Sequence, residues 1–326
     1  MRRSPAAGFT LAELMLVMVL LGVVIGLGVA TVDRADPGAR GLQKSVEAFV
    51  QSARDRARSS GQPVVMKMLP VDETTPAQLV RDVFRRSIEA NFEPAYSDRQ
   101  EVQIVAPAEL GKPGRYGAGL DLRQGGGATL IGRGGEFRSP RGFQIEFDFR
   151  ADELDGAKLM RWEDLCEIEL QRDGSLKWSA VYTDGTTSAM QEVKAPPGLV
   201  RKGAWHHLRA IAIEGRMELR LDGERIAEAE AAGSLESTDE PPYLGDPDGR
   251  FVGALDEFVV WGRVRDQGPV LNGEQEMFLG ALEVVFDRFG RLDPVVHEEP
   301  VEVRIASRGV EAGAFRIGIF SEEVQP

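Results

Sequence analysis

The sequence predicts an α+β protein in which a long N-terminal helix and a small antiparallel sheet are interrupted by an inserted all-β sandwich. Three observations predict this organisation. Residues 14–32 form an apolar run of 19 residues without a charge, residues 88–264 contain many short strands separated by turns, and alternating strands return at 281–326. The inserted part is expected to be a jelly-roll sandwich, because short antiparallel strands with regular turns are typical of that architecture.

The composition of the chain excludes several classes of protein. Its 326 residues include 39 basic and 52 acidic side chains, which gives a formal charge of −13. A chain of this charge repels phosphate backbones, so nucleic acid is not expected as a partner. The single cysteine, Cys166, excludes an intrachain disulfide and any zinc site built from several cysteines. It alternates inward with Ile168 and Leu170, so burial rather than reactivity is expected for it.

The beginning of the chain predicts one membrane span. At about 1.5 Å per residue, the run 14–32 nearly crosses a hydrocarbon layer of about 30 Å. The two arginines at positions 2 and 3 precede it, so the positive-inside rule places the N-terminus in the cytoplasm and the body of the chain outside it. A secretory signal would carry small residues after its apolar run, whereas here they come before it, at positions 6–8.

Residues 8–13, with the sequence GFTLAE, resemble the class III leader of type IV prepilins and type II secretion pseudopilins. The resemblance implies that a prepilin peptidase cleaves between Gly8 and Phe9 and that the new amine of Phe9 is N-methylated. It also implies that Glu13 neutralises the Phe9 amine of a neighbouring subunit during assembly. The alternative is a glutamate that is favoured by the helix dipole and reaches the lipid headgroups. A carboxylate near the bilayer centre costs about 2.5–3.5 kcal/mol, which favours the functional interpretation.

A second helical pattern follows Pro37 and Gly38 and is expected to end near Gly61. One of its faces carries a basic cluster at 54–58, which we interpret as a solvated helix face, with a lipid-headgroup patch as the alternative. A short strand is expected at 64–68. The apolar stripe of the helix consists of Leu42, Val46, Phe49, Val50, Ala53 and Ala57.

Further strands of the small sheet are expected only near the C-terminus, at 282–286, 301–305 and 315–319, with a turn at 286–291. This order of helix, strand, hairpin and short strands resembles the minor pseudopilins of the H subfamily. A large domain inserted into a surface loop of the head is the organisation this implies. The expected parts are a leader (1–8), the N-terminal helix and first strand (9–69), a linker (70–87), the sandwich (88–264), a second linker (265–280) and the C-terminal strands of the head (281–326).

Three short sequences within the insert resemble the landmarks of laminin-G-like, concanavalin A-like modules: WHHL at 205–208, LDG at 221–223 and GALDEF at 253–258. The sequence YGAGLDL at 116–122 is similar to their early strand. Modules of this kind bind glycans, proteins or steroids, often with calcium. We assign structural roles to the landmarks Trp205, Asp222, Gly223 and Asp256.

The WHHL sequence yields two more specific expectations. Trp205 is expected in the core rather than as a sugar platform, because the sequence begins a buried strand. His206 and His207 lie on opposite faces of that strand, so they cannot both bind one metal ion, and structural roles are expected for both.

A glycosidase is the enzymatic alternative, because some relatives hydrolyse glycans. It would need two carboxylates about 5–9.5 Å apart across the sugar bond. Glu146 and Asp148 share a strand face and resemble the first two members of a glucanase motif, but Arg150 and Ala151 stand where the third carboxylate would be. Glu167 and Glu169 form a second same-face pair without a third member. We expect no catalytic residue and no enzymatic activity, because solvated strand faces explain both pairs.

Calcium is the candidate cofactor, and its ligands are not assigned. The sequence DPDG at 246–249 does not have the spacing of an EF-hand loop. Acidic turns are the alternative interpretation. The candidates are Asp121, Asp184, Asp246, Asp248 and Asp256.

Together these features predict a minor pseudopilin or pilin-like subunit of a type II secretion or type IV pilus assembly that displays the module outside the inner membrane. Its body is expected in the periplasm of a bacterium, and the subunit is expected to be extractable into a filament. The expected partners are a prepilin peptidase, other pilins or pseudopilins, the inner membrane, and a glycan or protein ligand. A tip-located adhesin or receptor is the alternative, since a bulky head on every subunit would be hard to pack in a helical filament. A membrane-tethered glycosidase is the third hypothesis.

Overall fold

The computed structural model describes residues 37–69, 77–93, 102–131, 137–318 and 324–325. The expected leader, the apolar run, Gly8, Phe9 and Glu13 lie outside these ranges. Within them, no helix combines the length and the apolar character that crossing a membrane requires.

The chain forms two compact units. One comprises Met1–Arg81 and Gln267–Pro326, and the other comprises Asp82–Asp266. Where the structure describes them, the two segments expected to be linkers are largely strand: β2 covers Gln78–Ala90, β17 covers Gly253–Val270 and β18 covers Gln275–Leu279. Polar and charged residues are frequent in these strands. Their sequences therefore lack the regular alternation of apolar and polar residues by which other strands were predicted.

In the first unit, helix α1 spans Pro37–Ser60 and is followed by Gly61, whose φ of +65° suits the residue after a helix. Most of its apolar stripe is buried, and the helix packs against β1 (Val64–Leu69), β20 (Val301–Ser307) and β21 (Val310–Ile317). The fully buried residues of the stripe are Leu42, Val46, Val50, Ala53 and Ala57, whereas Phe49 is half-buried.

The interpretation of the cluster 54–58 as a solvated face is wrong for Arg54. This side chain is fully buried, and its guanidinium lies 5.6 Å from the centroid of the Phe286 ring. Arg58 is exposed and donates from Nε to the carbonyl oxygen of Phe289 at 3.0 Å. The helical spacing explains the difference, since Arg54 follows Val50 by four positions and shares its face.

The strands of the first unit form two antiparallel groups. Strand β1 pairs with β19 (Glu283–Phe286), with Val64 opposite Phe286 and an ion pair of 3.1 Å between Lys67 and Glu283. A four-stranded sheet has the order β18-β20-β21-β22, where β22 is Val324–Gln325. The expected turn at 286–291 is present: Asp287 accepts hydrogen bonds from two backbone N–H groups of this turn. Residues 315–317 of the strand predicted at 315–319 belong to β21, which begins earlier than expected.

The second unit is built on two antiparallel sheets. The first sheet has the strand order β14-β13-β12-β7-β17-β2. In addition, β5 pairs with β17, and β4 pairs with β5. These strands are β4 (Glu109–Pro113), β5 (Ala118–Asp121), β7 (Gly142–Ala151), β12 (Trp205–Ile213), β13 (Arg216–Leu221) and β14 (Glu224–Glu230). The second sheet has the order β11-β10-β9-β8-β16-β6-β3, with β15 added to β10. Its strands are β3 (Val102–Val105), β6 (Gly127–Leu130), β8 (Ala157–Trp162), β9 (Cys166–Leu170), β10 (Leu176–Thr183), β11 (Ser188–Lys194), β15 (Ser234–Leu235) and β16 (Tyr243–Leu244).

The two sheets pack face to face around one hydrophobic core, which confirms the predicted sandwich. Phe143 on β7 meets Trp178 on β10 edge to face, with ring centroids 5.9 Å apart. The indole of Trp178 donates to the carbonyl oxygen of Ile211 at 3.3 Å, so its polar atom is satisfied inside the core. Cys166 is also fully buried in this core, and burial raises the pKa of its thiol well above 9.0.

A tight turn in the second unit yields a stability prediction. Gly126 has a φ of +81°, and a Cβ added there would collide with backbone atoms of Val105, Pro107 and Ala108. Gly185 has a φ of +89° but opens onto free space. We expect Gly185→Ala to cost about 1–2 kcal/mol of unfolding free energy through φ alone. Gly126→Ala should cost about 1–3 kcal/mol more through the added collision.

The measurement is denaturant unfolding of the detergent-solubilised full chain, followed by tryptophan fluorescence. All four tryptophans lie in Asp82–Asp266, so the fluorescence follows the unit that contains both glycines. Equal losses in the two variants would contradict the close approach at Gly126.

Candidate binding site

The landmarks of the module come together on the face of the first sheet that points away from the core, here called the outer face. On β7 the inward positions are aromatic and aliphatic, so Asp148, between Phe147 and Phe149, lies on the outer face. His207 of β12 is directly opposite Asp148 on one side, and Asp256 of β17 is opposite it on the other. Directly opposed residues share a face of the sheet, so the three side chains form a row across three strands.

The prediction that Trp205 lies in the core is wrong. Trp205 is half-buried and lies opposite Arg150. The guanidinium of Arg150 is 5.6 Å from the centroid of the Trp205 ring. His206 takes the inward position instead and is 1% exposed, next to Phe149. The alternation of β12 explains this placement. Its buried positions are 208, 210 and 212, and the period of two places residue 206, not 205, on the same inward face.

The two ring nitrogens of His206 have different partners. Nδ1 is 2.7 Å from Oδ2 of Asp222, and Nε2 accepts the backbone N–H of Arg201 at 3.1 Å. A nitrogen that accepts a hydrogen bond carries no proton, so the ring is the neutral tautomer that donates from Nδ1. This arrangement gives His206 a structural role.

Asp222 and Gly223 form the two-residue turn between β13 and β14. Their φ values are +51° and +90°, as a type I′ hairpin turn requires. Asp222 Oδ1 also accepts the backbone N–H of His207 at 2.8 Å. Burial by itself would raise the pKa of Asp222, but the hydrogen bonds from His207 and His206 outweigh it and hold the pKa below 3.8.

Asp256 anchors a loop formed by residues 114–117. Its side chain is fully buried, and its Oδ2 accepts the backbone N–H groups of Arg115 at 2.8 Å and Tyr116 at 3.1 Å. Its Oδ1 accepts the N–H of Glu257, where a bulge interrupts the register of β17. Burial raises the pKa of Asp256, although these three hydrogen bonds oppose the rise. The loop itself is closed by a bond of 2.7 Å from the N–H of Gly114 to the carbonyl oxygen of residue 117.

Asp148 connects this loop to β12. A single oxygen of Asp148, Oδ1, contacts Arg115 Nη1 at 2.9 Å and His207 Nδ1 at 2.8 Å. The guanidinium of Arg115 in turn lies 5.4 Å from the centroid of the Tyr116 ring. Arg115 thus links Tyr116 to Asp148 and His207, and the backbone N–H of His207 is bonded to Asp222. The group of Arg115, Tyr116, His207 and Asp222 is here called the Tyr116 surface.

The Tyr116 surface is accessible to a ligand. The exposed fraction is 64% for Tyr116, and the side chains of His207 and Asp222 are 38% and 44% exposed. Sequence reasoning assigned Tyr116 to the start of a strand and did not single it out. An aromatic residue between Gly114 and Gly117 could have indicated an exposed turn.

The carboxylates considered for glycosidase chemistry are paired with cations or ring nitrogens. Glu146 bonds Arg209 Nε at 2.8 Å, and Asp148 is held as described above. On the second sheet Glu167 pairs with a lysine at 2.5 Å and Glu169 with another at 2.9 Å. The absence of catalytic residues stays a prediction.

The calcium candidates are engaged in local hydrogen bonds. Asp121 forms a two-pronged contact with Arg123, Asp184 accepts two backbone N–H groups of its own turn, and Asp246 accepts those of Lys158 and residue 248. In the parts of the chain that the structure describes, no group of three or more His, Cys, Asp or Glu residues is arranged to hold a metal ion.

Comparison with known families identifies two parts of the chain. Residues 3–29 match the prokaryotic N-terminal methylation motif, and residues 124–270 match the concanavalin A-like lectin/glucanases superfamily. The chain therefore carries a prepilin-type N-terminus and a laminin-G-like, concanavalin A-like sandwich, as predicted from 8–13 and from the landmarks. A motif of this kind implies a membrane-anchored N-terminus and a pilus or secretion context. No curated protein matches the chain.

Three solved structures are similar in fold to part of this chain. Domain 4 of the arabinanase AbnA from Geobacillus stearothermophilus, solved with arabinotriose, has 11% identity and a TM-score of 0.37, covering 58% of this chain and 95% of that one. The carbohydrate-binding module CBM66 from Bacillus subtilis has 11% identity and a TM-score of 0.30, covering 51% and 95%. Domains LG4-5 of the mouse laminin α1 chain have 11% identity and a TM-score of 0.30, covering 65% and 92%. The fold assignment rests on the family match and the strand pairing.

The bonds of Asp222 predict a specific pH dependence. A carboxylate whose pKa is lowered on folding adds stability above its ordinary value of 3.8 and loses that contribution as the pH falls through the folded value. We therefore expect Asp222→Asn to destabilise the second unit most at neutral pH. The difference from wild type should shrink below about pH 4.

Unfolding free energies of the full chain in detergent, measured by tryptophan fluorescence between pH 3 and 7, test this expectation. Asp248→Asn is the control, because that side chain is 76% exposed and should follow the wild-type curve. A difference between Asp222→Asn and wild type that does not change with pH would show that the charge of Asp222 is unimportant.

Proposed function

We propose that this protein is a minor pseudopilin or pilin-like subunit of a type II secretion or type IV pilus assembly, and that it displays its sandwich module outside the bacterial inner membrane. The match of residues 3–29 to the N-terminal methylation motif carries this proposal. The matched segment contains the cleavage site between Gly8 and Phe9, the carboxylate of Glu13 and most of the apolar run.

The proposed mechanism is assembly rather than catalysis. A prepilin peptidase removes residues 1–8 and leaves Phe9 as the methylated N-terminus. The apolar run then anchors the subunit in the inner membrane with its body in the periplasm, and it packs among the helices of other subunits on extraction into the filament. Glu13 offsets the amine of a neighbouring Phe9, which reduces the cost of about 2.5–3.5 kcal/mol for a carboxylate deep in the bilayer.

The first unit supports this proposal through its architecture. An amphipathic helix, α1, directly follows the N-terminal segment and lays its apolar stripe on antiparallel strands drawn from both ends of the unit. A head of this kind, with Asp82–Asp266 inserted between its first and last strands, is the organisation proposed for the whole protein.

The proposed role of the module is binding, so the subunit acts as an adhesin or receptor if it lies at the filament tip. The observation that favours this role is the exposed Tyr116, whose neighbour Arg115 shares Oδ1 of Asp148 with His207. Glycosidase activity is the less favoured hypothesis, because Glu146 and Asp148 are tied to Arg209, Arg115 and His207. Hydrolysis of a β-glucan by the purified protein, abolished by Glu146→Gln, would establish it.

Removing the Glu13 carboxylate is expected to block assembly while leaving processing unchanged. In cells that contain the peptidase and the partner subunits, Glu13→Ala should yield the mature mass in membranes but lose most of its recovery in sheared filaments. Glu13→Asp, which keeps the charge, should retain more assembly. Normal recovery of Glu13→Ala in filaments would refute the proposed role of Glu13.

Changing the cleavage site is expected to stop maturation. Gly8→Leu places a large side chain at the proposed cut, so intact-protein mass spectrometry should find the full-length chain without a methyl group. The wild-type control should begin at a methylated Phe9. A Gly8→Leu protein with the mature mass would contradict the cleavage position.

A further inference from the structure

We propose that the Tyr116 surface binds a neutral glycan, with the Tyr116 ring stacked on the apolar face of a sugar and His207 and Asp222 hydrogen-bonded to its hydroxyls. This inference rests on the proposed binding role of the module and adds the class of ligand and the residues that contact it.

Tyr116 is exposed although its backbone is held firmly. The N–H of Tyr116 is bonded to buried Asp256, and the N–H of Ala118 is bonded to Glu93 Oε1 at 2.9 Å. Gly117, at a φ of +108°, completes the turn and would place a Cβ against the same Glu93 side chain. A loop whose backbone is already fixed loses little conformational entropy on binding, which is a property of preorganised sites.

The Tyr116 surface offers both an aromatic ring and polar groups with free hydrogen-bonding capacity. Arg115 occupies one side of the Tyr116 ring, and the ring remains 64% exposed. The Nδ1 atom of His207 is engaged by Asp148, and in the described parts of the chain no hydrogen bond reaches its Nε2 atom. A sugar hydroxyl can donate to or accept from Nε2, so either protonation state of the ring serves. The half-exposed carboxylate of Asp222 adds further acceptor sites.

The charges of the Tyr116 surface favour neutral ligands. Arg115 is the cation of the surface, and Asp148 and the Tyr116 ring already engage it. The buried carboxylates of Asp148 and Asp256 lie next to it, and the whole chain carries a charge of −13, so an anionic saccharide would be repelled. Asp148, Asp222 and Asp256 accept hydrogen bonds from Arg115, histidine rings or backbone N–H groups, so a basic ligand would have to displace existing partners. Hydroxyl groups need no net charge and fit this arrangement.

The test uses the full chain in detergent on an array that carries neutral hexose and N-acetylhexosamine oligosaccharides beside sialylated and sulfated ones. We expect binding to neutral oligosaccharides. Calorimetric titration with the strongest neutral binder should then show that Tyr116→Ala weakens the affinity about tenfold or more, as the loss of an aromatic contact at a binding centre does. Tyr116→Phe keeps the ring and should stay within about threefold of wild type.

Met190→Ala is the matched control, because Met190 is 57% exposed on β11 of the second sheet and its truncation should leave the affinity unchanged. The unfolding midpoint of Tyr116→Ala, followed by tryptophan fluorescence, should equal that of wild type. Binding confined to sialylated or sulfated glycans, no glycan binding by the folded wild type, or full affinity in Tyr116→Ala would each overturn the inference.

The outcome is separable from that of the proposed function. A subunit that is cleaved, methylated and recovered in filaments but silent on the array overturns the ligand inference alone. A chain that binds neutral glycans through Tyr116 but is never processed overturns the assembly proposal alone.

Discussion

The register of strand β7 determines both the core of the sandwich and the composition of the candidate site. Its inward residues Phe143 and Phe147 fill the space between the sheets, and the alternation of a strand then sends Asp148 to the outer face. Pairing with β12 and β17 places His207 and Asp256 on either side of Asp148. A slip by one residue would bury the charged row and expose the aromatic one, so the hydrophobic core and the site depend on the same constraint.

The two buried carboxylates of this row are tolerated because each one is paired. Asp148 is contacted by Arg115 and His207, and Asp256 accepts three backbone N–H groups. An unpaired charge in either position would be strongly destabilising, whereas a fully satisfied network fixes the loop to the sheet. This network also affects the candidate site, because the loop that Asp256 holds in place is the loop that exposes Tyr116. Structural landmarks of the module thereby position a side chain that can contact a ligand.

Sequence reasoning recovered much of the fold and less of the site. The alternation of Cys166, Ile168 and Leu170 corresponds to β9, because the core imposes a strong period of two on that strand. Two residues were placed on the wrong face. Trp205 was expected inside because its sequence begins a buried strand, but His206 holds the inward position, and Arg54 was expected outside with the other charged residues of 54–58, but it shares the buried face of Val50. The strands at 78–90 and 275–279 were missed because charged residues interrupt their alternation.

The sequence by itself identified the N-terminal methylation motif, the apolar run and the presence of the module. These features are contiguous, so the order of residues along the chain is sufficient to identify them, as the match at 3–29 illustrates. Only the tertiary structure shows which residues form the Tyr116 surface. Arg115 meets Asp148 33 positions away and its N–H meets Asp256 141 positions away, and antiparallel pairing of distant strands is what brings them together. A local pattern carries no information about such pairing, because the partners of each strand are chosen by the shared core.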